Sequence, residues 1–155
     1  MNVIHHFRNS VTIGFVVLFS FLEINSLSAQ TVWLDELDLS AATQGYGVPM
    51  KNKSIDGKTL TIAGKTFERG FGSHSESSIT ILLEGKATLF TAQVGIDDEV
   101  KGQRPAAEFV LYGDNKKLWS SGVMHLGNAA KACSVKLDGV MKLELLVTDG
   151  GNGNY

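Results

Sequence analysis

Met141-Lys142-Leu143-Glu144-Leu145-Leu146-Val147-Thr148 sets Met141, Leu143, Leu145 and Val147 on one side of an extended chain, and Lys142, Glu144, Leu146 and Thr148 on the other. Successive side chains of a strand point to opposite faces, so this period of two reads as a strand with one buried face. The pattern recurs over Leu60 to Ile62, Ile79 to Leu83, Leu89 to Ile96, Glu108 to Tyr112 and Cys133 to Leu137. Turn chemistry separates these runs at Asp56-Gly57, Glu84-Gly85, Gly113-Asp114-Asn115, Gly127-Asn128 and Asp138-Gly139, where residues that tolerate positive φ are grouped. Short strands at such spacing, without a helix-length amphipathic segment, predict an all-β fold, an antiparallel β-sandwich. The one helix-like stretch is a brief turn around Leu34 to Leu39, where Asp35, Glu36 and Asp38 suit an N-terminal dipole.

Residues 1–29 differ from this pattern. His5, His6 and Arg8 precede the apolar run Val11 to Leu22, which is shorter than the roughly 20 apolar residues a spanning helix needs. The run turns polar and reaches Leu27-Ser28-Ala29, a small-residue end suited to signal peptidase. Residues 1–29 are read as a signal peptide, with an uncleaved membrane anchor as the other reading, and the expected location is secreted or periplasmic. Its removal takes one basic residue of the 14 and one acidic residue of the 16, and leaves the net charge at −2. That balance excludes a nucleic-acid partner, which calls for a basic patch. Residues 30–155 suit one domain. Cys133 is the single cysteine, and its alternating neighbours Val135 and Leu137 put it on the buried face of a strand.

Two runs concentrate polar groups beside strand-like segments, as binding loops do on a β scaffold. In Arg69-Gly70-Phe71-Gly72-Ser73-His74-Ser75-Glu76-Ser77 the glycines let the backbone come close to a ligand. Arg69 offers a planar fork of donors, and His74 a ring that can donate, accept or stack. This is equipment for a hydroxyl-rich ligand; a tight turn whose Arg69 and His74 satisfy local carbonyls has the same composition. The second run, Val94-Gly95-Ile96-Asp97-Asp98-Glu99-Val100, holds three adjacent carboxylates. Their repulsion calls for a Ca²⁺ ion or a basic partner such as Arg69 or Lys101, or for full exposure as a solvated acidic turn.

Catalysis within the domain is not expected. The chain lacks a G-x-S-x-G elbow, an H-E-x-x-H pair and phosphate- or dinucleotide-binding glycine loops. Glycosidic hydrolysis needs two carboxyls about 5 Å or 6.5–9.5 Å apart across a cleft, whereas neighbours at a strand end point in different directions. Among the aromatic residues, Tyr46 between Gly45 and Gly47 is placed to stack on a sugar, while Trp33 and Trp119, each beside leucine, are expected in the core and His125 on the surface.

Six ordered segments carry a resemblance: Trp33-Leu34-Asp35-Glu36-Leu37, Ala42 to Gly47, Arg69 to His74, Val94 to Val100, Gly113-Asp114 with Leu118 to Val123, and Val147 to Gly151. Together they resemble carbohydrate-binding module family 51, a module of glycoside hydrolases including those of family 98. The resemblance implies a galactose-binding-like jelly roll, often with a structural Ca²⁺, attached to secreted glycosidases such as bacterial α-galactosidases. It implies a galactose-containing glycan as partner, with a glycosidase domain in cis. Carried onto this chain, the carbohydrate positions are Tyr46, Arg69, His74, Asp98 and Glu99, and the metal positions Asp97 and Asp149. Family members continue past the Asp149 loop into a last strand, so a sandwich lacking that strand is expected here. The competing functional readings are part of an α-galactosidase-like glycosidase whose catalytic domain lies elsewhere, and a protein-interaction sandwich.

Overall fold

The computed structural model describes residues 30–101 and 105–151, so the expectations for residues 1–29 and for the tail from Asn152 to Tyr155 lie outside the described residues. The chain divides into Met1–Thr31 and Val32–Tyr155, and the account below concerns the second unit. Its described residues form a 3-10 turn over Leu34–Glu36 and the strands β1 (Thr43–Gln44), β2 (Met50–Lys51), β3 (Leu60–Ile62), β4 (Lys65–Phe67), β5 (Phe71–Gly72), β6 (Ser77–Leu82), β7 (Leu89–Val94), β8 (Ala106–Gly113), β9 (Lys116–His125), β10 (Lys131–Lys136) and β11 (Lys142–Thr148).

A five-stranded antiparallel sheet has the order β1-β6-β11-β8-β9, and β7 pairs with β10 in a second layer. Strand β11 lies at the centre, with Leu145 opposite Ile79 of β6 on one side and Leu111 of β8 on the other. The facing layer brings Phe90, Ala92, Cys133 and Val135 inward, while Thr91, Gln93, Ser134 and Lys136 alternate with them toward solvent or the rim. Between the layers, Leu111, Cys133, Leu137 and Leu143 are buried and surrounded by Ile81, Phe90, Trp119 and Leu145. Burial pushes the Cys133 thiol up from its ordinary value, so the residue acts as the small core hydrophobe its alternation implied. The antiparallel β-sandwich read from the sequence is the fold observed.

Strand β9 was not marked by the alternation, although it is the longest strand described. Its pairing with β8 slips between Glu108 and Val110 and again between Leu111 and Tyr112, and each slip breaks the period of two. At the first slip the Ser121 hydroxyl accepts the Phe109 N–H at 2.9 Å, and Gly122 takes φ 65° beside it. A buried serine and a glycine inside a strand therefore mark a bulge.

The registers also gather the loops. Gln44 ends β1 beside Ser77 at the start of β6, Ser77 faces Val147 near the end of β11, and Thr148 faces Glu108 near the start of β8. Ala106 faces His125 at the end of β9, and Lys131 at the start of β10 faces Val94 at the end of β7. Consequently the segments around Tyr46, His74, Asp97 to Glu99 and Asp149 all leave the sheets at one end. The opposite end holds the turns at Glu84-Gly85, Asp114-Asn115 and Asp138-Gly139.

Leu143 is 1% exposed, so Leu143→Ala should lower unfolding free energy by about 2–5 kcal/mol. Leu82→Ala, at a side chain 75% exposed, should change it by less than about 0.5 kcal/mol. Urea denaturation of both variants checks the assignment of the core face.

Candidate functional site

After β1 the chain turns through Gly45-Tyr46-Gly47, and after β5 it runs through Ser73 to Glu76 into β6. Two kinds of bond tie these loops together. The Gly45 N–H donates to the Glu76 carbonyl at 3.0 Å, and the Gln44 side chain accepts the His74 N–H at 3.1 Å while donating to the Tyr46 carbonyl at 2.6 Å. The Tyr46 ring is 68% exposed and meets the half-buried His74 ring edge-on, with centroids 5.5 Å apart and planes at 60°. His74 Nδ1 is hydrogen-bonded to the Ser75 carbonyl. A carbonyl can only accept, so Nδ1 supplies the proton of this contact. Ser73 and Ser77 share a hydroxyl hydrogen bond of 2.9 Å beneath the loop. The corner thus presents an accessible aromatic face beside an imidazole whose Nδ1 is engaged within the loop.

Gly72 is required by the approach of the β2 side. A Cβ there would sit 2.2 Å from the Lys53 carbonyl oxygen and 2.9 Å from Ser54 Cα. Nothing larger than glycine fits between β5 and this backbone, so the run into His74 is held close to the Lys53–Ser54 segment.

Arg69, expected at the ligand, is paired within the protein. Its Nε and terminal nitrogen donate to Asp35 at 2.9–3.2 Å, and the terminal nitrogen also donates to Glu36 at 2.7 Å. Its guanidinium lies 4.6 Å from the centroid of the Trp33 ring. Asn52 joins by donating to Asp35 at 3.0 Å and accepting the Gly70 N–H at 2.9 Å. Trp33, expected in the core, is instead 48% exposed, because its face packs on this arginine and not between the sheets. The cluster clasps the Trp33–Glu36 segment onto the Arg69–Gly70 turn. Arg69 holds the Asp35 carboxyl below its ordinary value of 3.8 and Glu36 below 4.5, with Asn52 and the Trp33 backbone as the next causes.

The acidic run is likewise occupied from within. Asp97 accepts the Thr61 N–H and the Glu99 N–H, each at 2.9 Å. Asp98 accepts the Ala63 N–H at 2.9 Å and the Gly64 N–H at 2.7 Å. These two amides belong to a turn with φ 48° and 78°, whose successive N–H groups form a concavity for an anion. Glu99 accepts the Ser54 hydroxyl at 2.6 Å and the Asp56 N–H at 3.2 Å, with Lys58 Nζ at 3.7 Å. Asp149 accepts the Gly151 N–H at 2.8 Å.

Backbone dipoles and one lysine therefore offset the repulsion of Asp97, Asp98 and Glu99. Their oxygens diverge onto separate segments, and among the described residues no group of three His, Cys, Asp or Glu side chains is arranged to hold a metal ion. Beside them lies a shallow, open depression lined by Lys58, Thr59, Thr61 and Lys101 together with the three acids. Of the five residues expected on a sugar, the structure brings Tyr46 and His74 together, and gives Arg69, Asp98 and Glu99 partners inside the protein. Gln44, which joins the first two, carried no motif of its own.

Because the folded-state carboxyls of Asp35 and Glu36 are depressed, their pairing stabilises the protein above the ordinary values of 3.8 and 4.5, and that contribution disappears as pH falls through the lower folded-state values. Arg69→Ala should melt below the unaltered protein at neutral pH, and the gap should close as the solution is acidified through this window. Thermal melts of both proteins from about pH 7 to about pH 3 measure it.

Known proteins resemble this chain in sequence and fold. Residues 30–155 match the NPCBM/NEW2 domain. A protein of Renibacterium salmoninarum named as an endo-alpha-N-acetylgalactosaminidase is 40% identical over 103 residues, which are 64% of this chain and 7% of that protein. Alpha-1,3-galactosidase B of Akkermansia muciniphila is 32% identical over 116 residues, 72% of this chain and 14% of the enzyme. The chain thus spans a small part of the length of the curated relatives it matches. Among solved structures, the family 51 module of Clostridium perfringens GH95 in complex with methyl-galactose aligns with a TM-score of 0.72 and 35% identity, over 79% of this chain and 90% of that one. The family 51 modules solved with the M60 catalytic domain of C. perfringens ZmpB align with a TM-score of 0.73 and 29% identity, over 79% of this chain and 13% of that one. By the match over residues 30–155 and the sandwich shared with these modules, the chain belongs to the NPCBM/NEW2 domain family.

Proposed function

We propose that residues 30–155 form a non-catalytic carbohydrate-binding module that takes a terminal galactose at the Tyr46–His74 corner. The observation that carries this reading is the exposed tyrosine ring held 5.5 Å from an imidazole whose Nδ1 is engaged by the Ser75 carbonyl. The axial O4 of galactose leaves an apolar C–H face that can lie on Tyr46, while a ring hydroxyl donates to His74 Nε2. The C. perfringens GH95 module solved with methyl-galactose supports the choice of sugar. Arg69, Asp98 and Glu99 keep the loops in shape, and the sugar contacts fall to the two rings. A site built on two surface rings contacts only part of its ligand, which suits an affinity of about millimolar.

In this reading the protein is exported, which the apolar run Val11 to Leu22 and the small-residue end at Ala29 support. The module then holds a glycosidase domain of the same protein on galactose-bearing glycans, a role supported by the glycosidase names of the two curated relatives.

Isothermal titration of residues 30–155 with galactose and lactose tests the proposal. Saturable heat is expected, with Tyr46→Ala and His74→Ala each weakening binding by at least about tenfold, the equivalent of 1.4 kcal/mol. Melting temperatures should hardly change, and a chelator should leave the titration unaltered because amide donors occupy the acidic loop. Folded protein that gives no heat with either sugar, or binding indifferent to both substitutions, would refute the assignment; a co-purifying protein would then favour an interaction domain.

A further inference from the structure

Strand β1 has two residues at the edge of the main sheet, a short ladder on which to mount an exposed ring. Gln44 is its last residue and faces Ser77 across that ladder. The side-chain amide of Gln44 is used at both ends, as acceptor for the His74 N–H at 3.1 Å and as donor to the Tyr46 carbonyl at 2.6 Å. One side chain therefore bridges the two loops that carry the two rings, and both of its bonds go to backbone, which fixes loop position without occupying either ring. Gly47 turns the chain at φ 68° directly after Tyr46, and a Cβ there would stand 3.6 Å from Gln44 Nε2. The half-buried amide thus lies against the turn that carries Tyr46.

We infer that Gln44 is a positioning residue of this site: without touching the sugar, its bridging amide sets the spacing of Tyr46 and His74 and thereby the preference for galactose over glucose. The inference rests on the galactose reading above. A sugar whose O4 is equatorial presents different groups to the same pair of rings, so discrimination depends on the rings keeping a fixed separation. Loops free to part would accept both sugars weakly. Glutamine carries an acceptor and a donor on one planar amide, and asparagine, which does the same, is one methylene shorter.

The test compares Gln44→Met, which keeps length and loses both bonds, with Gln44→Glu, which keeps an acceptor for the His74 N–H and loses the donor to the Tyr46 carbonyl. Galactose affinity should fall by about tenfold in Gln44→Met and less in Gln44→Glu, and the ratio of galactose to glucose affinity should fall with it. In a Tyr46→Ala background, where the carbonyl partner remains and the ring is gone, Gln44→Met should cost markedly less. The nuclear Overhauser effect between the Tyr46 and His74 rings should weaken in Gln44→Met, while melting temperature stays near that of the unaltered protein.

An undiminished ring-to-ring signal in Gln44→Met overturns the inference. So does an equal loss of affinity with or without the Tyr46 ring, or a lowered affinity with an unchanged galactose-to-glucose ratio. If the unaltered protein binds no galactose, the functional reading fails first, and the ring-to-ring signal still decides whether Gln44 positions the pair.

Discussion

The register of β11 governs the rest of the structure. This strand is hydrogen-bonded on both sides, and Leu143, Leu145 and Val147 reach the core face only when Leu145 lies between Ile79 and Leu111. A slip of one residue would turn Lys142 and Glu144 inward and expose three large apolar groups. The same register lines up Ser77, Thr148 and Glu108 at one end of the sheet, and through Ser77 it places Gln44 and the Tyr46 turn. Core burial and the gathering of the loops are therefore one constraint. The long polar loops cannot drift without unpairing strands whose apolar face is already buried.

Given that frame, charge is used to hold loops in place. Arg69 fastens the Trp33–Glu36 segment, Asp98 caps the Ala63-Gly64 turn, and Asp97 and Glu99 reach back to Thr61, Ser54 and Asp56. Hydrogen bonds from amides to a carboxylate are stronger than neutral ones, and a loop with fixed ends loses less entropy when a ligand arrives. A domain of this size has little core to support its loops, so anchoring by carboxylates substitutes for burial. The three adjacent acids that suggested a cation in the sequence are each neutralised by different amides, because consecutive residues leaving a strand diverge.

How far the sequence was legible follows from the same geometry. Strands β6, β7, β8, β10 and β11 announced themselves because one face of each is buried, and Cys133 fell on the inward side as its neighbours implied. Strand β9 was hidden by its bulges, where Ser121 and Gly122 interrupt the alternation. The short strands β1, β2, β4 and β5 have too few residues to show any period. Tyr46 and His74 were visible through their glycine-rich flanks. The partners of Arg69 and Asp98 were not, since Asp35 and the Ala63-Gly64 amides lie 34 and 34–35 residues away and backbone donors leave no trace in residue type. Trp33 beside leucine resembled a core residue because composition alone cannot distinguish packing between sheets from packing on a guanidinium.

A site made of two surface rings at one end of a sandwich, as proposed for Tyr46 and His74, has a thermodynamic consequence. Two rings cannot bury a monosaccharide, so tight binding is out of reach of this corner however well it is ordered; order can only improve discrimination and lower the entropy cost of each contact. For a free protein that would be a poor receptor. For a module joined to a second domain, the linker raises the local concentration of glycan once either part is engaged, and joint binding is tighter than either part alone wherever that concentration exceeds the dissociation constant. Weak binding also releases quickly, which lets an attached domain move from one chain end to the next. With the sugar at the proposed Tyr46–His74 corner, the geometry of the ring pair matters more than the area it covers, and the bonds that set the separation of the rings bear on discrimination as the rings do.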